Sequence, residues 1–178
     1  MAHEQQRLFL DKVKSLFPDF FTHKKILDIG SLNINGTARP WFENCTYIGV
    51  DVGDGKDVDI VCEGQNLDHA DNFYDVTVSC ECFEHNPYWL ETFRNMHRML
   101  KPNGLMIMTC ATTGRREHGT NKRKPKSSPL TIKKGWEYYK NLTENDFRHV
   151  MDIDSMFKDY EFSIETKSCD LYFYGFKK

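Results

Sequence analysis

Residues 25–36 read KILDIGSLNING. Ile26, Leu27 and Ile29 form a short apolar run, the pattern of a strand covered on both faces. Asp28 interrupts that run, and a charge in a buried strand is costly unless something partners it. The run breaks at Gly30, and Gly36 closes the polar loop that follows. Glycine at a strand end lets the backbone approach a ligand without a Cβ in the way. Strand, acidic residue and glycine-containing turn together outline a nucleotide-like cofactor site in an α/β sheet. An ordinary strand-to-helix turn shares that outline, so the rest of the chain has to decide.

Working outward, residues 3–17 place Phe9, Val13, Leu16 and Phe17 at helical spacing, and Pro18 stops the pattern. Strands are expected at 25–30, 46–52, 58–62, 73–80 and 105–111, with at most a helical turn at 37–42. Only GDGKD separates the second strand from the third, too short for a normal crossover helix. The expectation is a crossover trimmed to a loop. Asn86 and Pro87 predict a helix start, with Leu90, Phe93, His97 and Leu100 on one side and Pro102, Asn103 and Gly104 as the stop. His97 reads as a satisfied structural histidine. Residues 112–141 predict a long loop, and loops of that length are usually functional or disordered. Thr143 and Asp146 resemble a capping box opening a helix that carries Phe147, Val150 and Met151. EFSIETKSCD and LYFYGFKK predict an antiparallel pair at the end. The alternation specifies an α/β fold: a doubly wound, mostly parallel sheet with an antiparallel C-terminal edge strand.

A length of 178 residues suits one domain with a real core. The expected layout is an N-terminal helix (1–24), a cofactor-binding core (25–111), an acceptor-side loop (112–141) and a C-terminal helix and hairpin (142–178). No apolar run approaches the roughly 20 residues of a membrane span, and MAHEQQRLFL lacks a signal layout. The six cysteines include only one close pair, Cys80 and Cys82, whose spacing is not that of a zinc knuckle. They are expected to be reduced thiols of a cytoplasmic protein, with no metal site. From Glu43 to Glu91 there are twelve acidic residues and one basic, whereas Thr112 to Lys134 holds eight basic and one acidic. The first region repels anions and the second attracts them.

Ligands of open α/β sheets sit over the carboxyl ends of the strands. Asp28, Gly30, Asp51, Glu63 and Glu81 are expected to converge there. Asp51, ending the second strand, suits acceptance of hydrogen bonds from two ribose hydroxyls. The loop GSLNING lacks the GxGxxG triplet that brings a helix N-terminus onto a pyrophosphate. A carboxylate at Asp28 better suits a cationic cofactor portion.

ILDIGS, YIGVDVGDGKDVDIVCEG, FYDVTVSCECFEH and FRNMHRMLKPNG, followed by a strand, resemble the successive motifs of class I S-adenosylmethionine-dependent methyltransferases, above all the small type 11 domain family. The resemblance covers 25–111 and implies a Rossmann-like fold with S-adenosyl-L-methionine as cofactor. It implies that Asp28, Gly30, Ser31, Leu32 and Asn33 line the methionine portion and that Asp51 takes the ribose. Val52 would pack on adenine, with Glu63 and Gly64 beside its amine. Cys80, Glu81 and His85 would stand at the sulfonium end. Glu84 and His85 match an acidic–histidine pair that more often positions the following helix than performs catalysis. The missing helix after the second strand implies a more open adenine side.

Methyl transfer from a sulfonium is an in-line displacement, so alignment and water exclusion are the protein's main tasks. His118 is the candidate general base, because it follows the fifth strand and titrates near neutrality. Arg115, Arg116, Lys122, Arg123 and Lys124 suit a small anionic or carbohydrate-like acceptor. Nucleic acid is disfavoured by the acidic half, and no membrane partner is expected. A monomer or a homodimer is compatible with the chain. A cofactor-binding accessory subunit and a nucleotide-dependent oxidoreductase are the competing functions.

Overall fold

The computed structural model describes residues 4–178; residue 3, placed in the first helix above, lies outside that range. Seven strands form one sheet: β1 (Lys25–Ile29), β2 (Thr46–Asp51), β3 (Ile60–Val61), β4 (Tyr74–Cys80), β5 (Leu100–Ala111), β6 (Phe157–Glu165) and β7 (Asp170–Lys177). Their order is β3-β2-β1-β4-β5-β7-β6. The first five run parallel, and β7 returns antiparallel between β5 and β6. The chain order reverses between β1 and β4, which puts the switch point beside the opening stretch of sequence.

Helices α1 (Glu4–Leu16) and α2 (Trp89–Met99) cover opposite faces. Alternation along the strands explains this. Ile26, Val76, Val78, Leu105 and Ile107 point to the α1 face with Phe9, Leu10 and Val13. Leu27, Ile29, Met106, Met108 and Cys110 point to the α2 face with Phe93, Met96 and Met99. Successive residues of a strand face opposite ways, so a nearly continuous apolar run builds both cores. The short helices α3 (Pro129–Lys133), α4 (Glu144–Val150) and α5 (Ile153–Met156) follow β5.

β2 and β3 are parallel neighbours with no helix between them, as the trimmed crossover requires. Thr143 and Asp146 close a full capping box on α4, the shorter Asp doing the work usually given to Glu. His97 is satisfied by the Met156 carbonyl at 3.2 Å. Other expectations shift. Leu16 is exposed on α1 while Leu10 is buried. Asn86 does not cap α2: it accepts from the Tyr88 amide at 2.8 Å and donates to Thr92 at 2.9 Å, and the helix begins at Trp89. Pro102-Asn103-Gly104 does not end in coil either. Leu100 already pairs with Tyr74, and Leu105 pairs with Val76 after a register shift, so the breakers form a bulge within β5. Asn103 takes the left-handed backbone (φ 62°) that such a bulge needs.

Candidate functional site

A cavity of about 350 Å³ opens at the carboxyl ends of β1, β2 and β4. Gly30, Leu32, Ile34 and Asn35 form one wall, and Asp51 stands at the end of β2. Cys80, Glu81, Cys82 and His85 come from the end of β4. The segment after β5 closes the far side with Arg115 to His118, Lys124 and the start of α3. Gly30 has φ 85°, and a Cβ there would lie 2.5 Å from the Cβ of Cys82. Only glycine lets the β1 and β4 turns meet at this point.

Asp51 is oriented by backbone. The Val52 amide donates to its Oδ1 at 2.8 Å and the Leu32 amide to its Oδ2 at 3.0 Å. Burial raises its carboxyl above the ordinary range, and these two amides pull the other way.

Several expected residues stand elsewhere. Asp28 is buried and accepts from the Tyr47 hydroxyl at 2.7 Å on the α1 face, outside the cavity wall. Burial pushes its carboxyl up to about 6 against that hydrogen bond. Ser31 is buried behind the wall with its hydroxyl unpartnered among the described residues. Asn33 donates to Asp57 at 2.6 Å and accepts from the Gly36 amide, so it braces the loop. Val52 and Gly64 do not line the cavity. Glu63 pairs with Lys134 at 2.7 Å. The expectation of an open adenine side is therefore overturned. Leu130 of α3 lies over Gly53 and Lys134 anchors the segment to Glu63, so the basic segment folds over the gap left by the missing helix.

That segment is ordered by its own contacts. Thr120 and Arg123 exchange backbone hydrogen bonds at 3.1 Å, and the Asn121 amide donates to Glu137 at 3.0 Å. Of its basic residues, Arg115 is held between Glu81 at 3.6 Å and Asp170 at 3.2 Å. Arg116 and Lys124 are exposed on the cavity wall. Lys122 and Arg123 are exposed but outside it.

The structure also assembles a group that sequence spacing did not disclose. Glu84, His85 and His118 each offer one ligand atom, all within 4.8 Å of one another. The His85 and His118 rings meet edge to face at 4.9 Å, and Tyr139 packs on both. Gly119 (φ 65°) makes this possible, because a Cβ there would lie 2.5 Å from His85 Cε1. Glu84 is fully buried and neither carboxylate oxygen has a hydrogen-bond partner among the described residues. Burial, then the neighbouring Glu81, drives its carboxyl well above the usual range. Burial takes His85 down to about 3, and burial also lowers His118. Both rings are thus neutral near pH 7. The loop distance between His85 and His118 hid this group; only the order β4-β5 brings the two strand ends together.

A parallel sheet with the reversal at β1 and β4, a cavity over its carboxyl ends and an acidic end on β2 define a nucleoside-cofactor-binding α/β protein. A family model described as a methyltransferase domain matches residues 1–167, and the chain belongs to that family. Among solved structures, the chain resembles phosphoethanolamine N-methyltransferase 2 of Haemonchus contortus in complex with S-adenosyl-L-methionine. That match has a TM-score of 0.67 at 17% identity and covers 97% of this chain but 52% of the other, so this chain spans about half that enzyme's length. It also resembles the 1,6-didemethyltoxoflavin-N1-methyltransferase of Burkholderia thailandensis with bound S-adenosylhomocysteine (TM-score 0.64, 14% identity, 95% and 78% covered). A third is a SAM-dependent methyltransferase of Archaeoglobus fulgidus (TM-score 0.61, 14% identity, 96% and 94% covered). These likenesses establish the class I methyltransferase fold. No curated protein matches the chain. No described helix is long and apolar enough to cross a membrane.

Proposed function

We propose that this protein transfers the methyl group of S-adenosylmethionine to an oxygen or nitrogen of a small acceptor that is anionic or carbohydrate-like. The observation that carries the cofactor side is Asp51 on the cavity wall, with both oxygens aimed by backbone amides. Each oxygen keeps a lone pair for a ribose hydroxyl. The fit extends to Gly30, which lines the cavity and whose missing Cβ lets the Cys82 turn close against it, and to Leu32, Cys80 and Glu81 around the methionine portion. Val52, Glu63 and Gly64 are not part of this proposal, because they lie off the wall. Asp28 acts only behind the wall, through its hydrogen bond with Tyr47.

When bound, S-adenosylmethionine supplies an electrophilic methyl carbon on a sulfonium. The residues of this chain orient the partners and exclude water, and alignment alone can supply about 7 to 11 kcal/mol of the barrier. The segment 124–131 is the water-excluding cover. Arg116 and Lys124, uncommitted to buried carboxylates and facing the cavity, suit an anionic group on the acceptor. His118 stands on the same wall. A carbonyl only accepts, so Nδ1 beside the Arg116 carbonyl at 3.1 Å carries the proton, and Nε2 keeps a lone pair for the acceptor side.

Titration calorimetry with S-adenosylmethionine and S-adenosylhomocysteine tests the cofactor half, and absence of binding by either would sink it. A screen with isotopically labelled methyl donor against phosphorylated and neutral small alcohols and amines tests the acceptor half. Preference for neutral, uncharged acceptors would remove the role of Arg116 and Lys124. Binding of S-adenosylmethionine with no turnover on any acceptor would favour an accessory module.

A further inference from the structure

We propose that Glu84, His85 and His118 bind a divalent first-row transition ion of the Zn²⁺ or Co²⁺ kind on the cavity wall. The three donors come from the turn after β4 and the loop after β5, and one atom of each lies within 4.8 Å of the others. Bonds to zinc of about 2.0–2.2 Å place ligand atoms about 3 to 3.5 Å apart. His118 sits on a loop and is only half-buried, so it is the member able to make that approach.

Glu84 supplies the strongest reason. It is fully buried, and both of its oxygens lack a hydrogen-bond partner among the described residues. A carboxylate in that state is expensive unless protonated or met by a cation. Two side-chain cations of this region are engaged with other carboxylates. Arg115 is held between Glu81 and Asp170, and the Lys140 ammonium pairs with Asp146 at 2.7 Å. Lys140 reaches Glu84 only through its backbone amide, which donates to the Glu84 carbonyl at 2.9 Å.

The histidines have the form of ligands. His85 is buried and its Nδ1 has no hydrogen-bond partner among the described residues. His118 presents Nδ1–H to the Arg116 carbonyl, the outer contact that usually fixes a metal-bound imidazole and directs its other nitrogen to the ion. Two imidazole nitrogens and one carboxylate select a borderline transition ion rather than Ca²⁺ or Mg²⁺, which prefer oxygen. Three protein ligands leave a coordination position open, the arrangement of catalytic rather than structural sites. His85 and His118 both line the cavity, so that position is available to an acceptor atom there. This last step rests on the methyltransferase reading, and it would move charge control of the acceptor from the His118 ring to the ion.

The test uses the full chain freed of metal by chelator and dialysis, titrated with Co²⁺ and Zn²⁺ by calorimetry and absorption. One ion per chain is expected, with cobalt ligand-field bands and no thiolate charge-transfer band despite six cysteines. His118→Ala, a loop substitution, should weaken binding at least tenfold, and Glu84→Gln should do the same. S-adenosylhomocysteine affinity should stay within about twofold in His118→Ala. Unchanged cobalt affinity in His118→Ala, a thiolate band, or no binding at micromolar cobalt would overturn the site. Loss of S-adenosylhomocysteine binding in the wild type would instead refute the methyltransferase reading, with the metal titration judged separately.

Discussion

The backbone amide of Leu32 donates to Oδ2 of Asp51 at 3.0 Å, so the loop after β1 hangs on the carboxylate that ends β2. The same carboxylate is both a structural acceptor for the loop and the proposed ribose partner. A hydrogen bond to a charged group contributes about 1.5–3 kcal/mol. Asp51→Ala is therefore expected to weaken S-adenosylmethionine binding roughly 10- to 100-fold, since about 1.4 kcal/mol is tenfold. Calorimetry reads this directly, and an unchanged affinity would remove Asp51 from the site.

Gly119 carries the approach of the segment after β5 to His85. Its left-handed backbone and the 2.5 Å separation from His85 Cε1 leave no room for a side chain. Gly119→Val should displace His118 and reduce turnover at least tenfold, at a stability cost of about 1–3 kcal/mol. A variant with wild-type kcat would mean that His118 has no part in the reaction.

Asp28 makes a pH prediction. Burial raises its carboxyl from 3.8 to about 6, so the folded chain binds this proton more tightly than the unfolded chain does. Stability from this group is present below about 4, falls as pH rises to about 6, and stays low above that. The span corresponds to about 3 kcal/mol at most. Asp28→Asn keeps an acceptor for the Tyr47 hydroxyl and loses the buried charge. Its melting temperature should exceed the wild type's at pH 8, with the gap closing toward pH 4. A variant less stable than wild type at pH 8 would contradict this.

Thr143 receives the Asp146 amide and completes the capping box of α4, whose Phe147 packs on Trp89 and Phe93. Thr143→Ala should cost about 1 kcal/mol. For a chain of this size that lowers the melting temperature by about 2–4 °C, and a drop below 1 °C would show the cap to be idle.

Much of this was legible in the chain itself. Short apolar runs marked the strands, Pro18 marked the end of α1 and the Thr143–Asp146 pair marked the start of α4, because those signals depend on neighbours in sequence. The trimmed crossover between β2 and β3 followed from loop length alone. Asp51 was legible because a carboxylate ending a strand is placed by the strand. The breaker triplet at 102–104 misled, since pairing with β4 outweighs the turn preference of those residues and turns them into a bulge.

What only tertiary structure decided is where segments distant in sequence meet. Asp28 shares the α1 face with Ile26 because strand side chains alternate, and there it meets the hydroxyl of Tyr47, which stands opposite Ile26 on β2. Arg115 is a bridge between two acidic residues, one after β4 and one opening β7. The basic segment is a cover over the cavity, held by Lys134 on Glu63. Glu84, His85 and His118 form one cluster because β4 and β5 are parallel neighbours whose ends coincide. The sequence by itself determined the class of fold and the carboxylate at the end of β2, through local pattern. Strand order and side-chain alternation, which no local pattern encodes, decided which residues share the cavity.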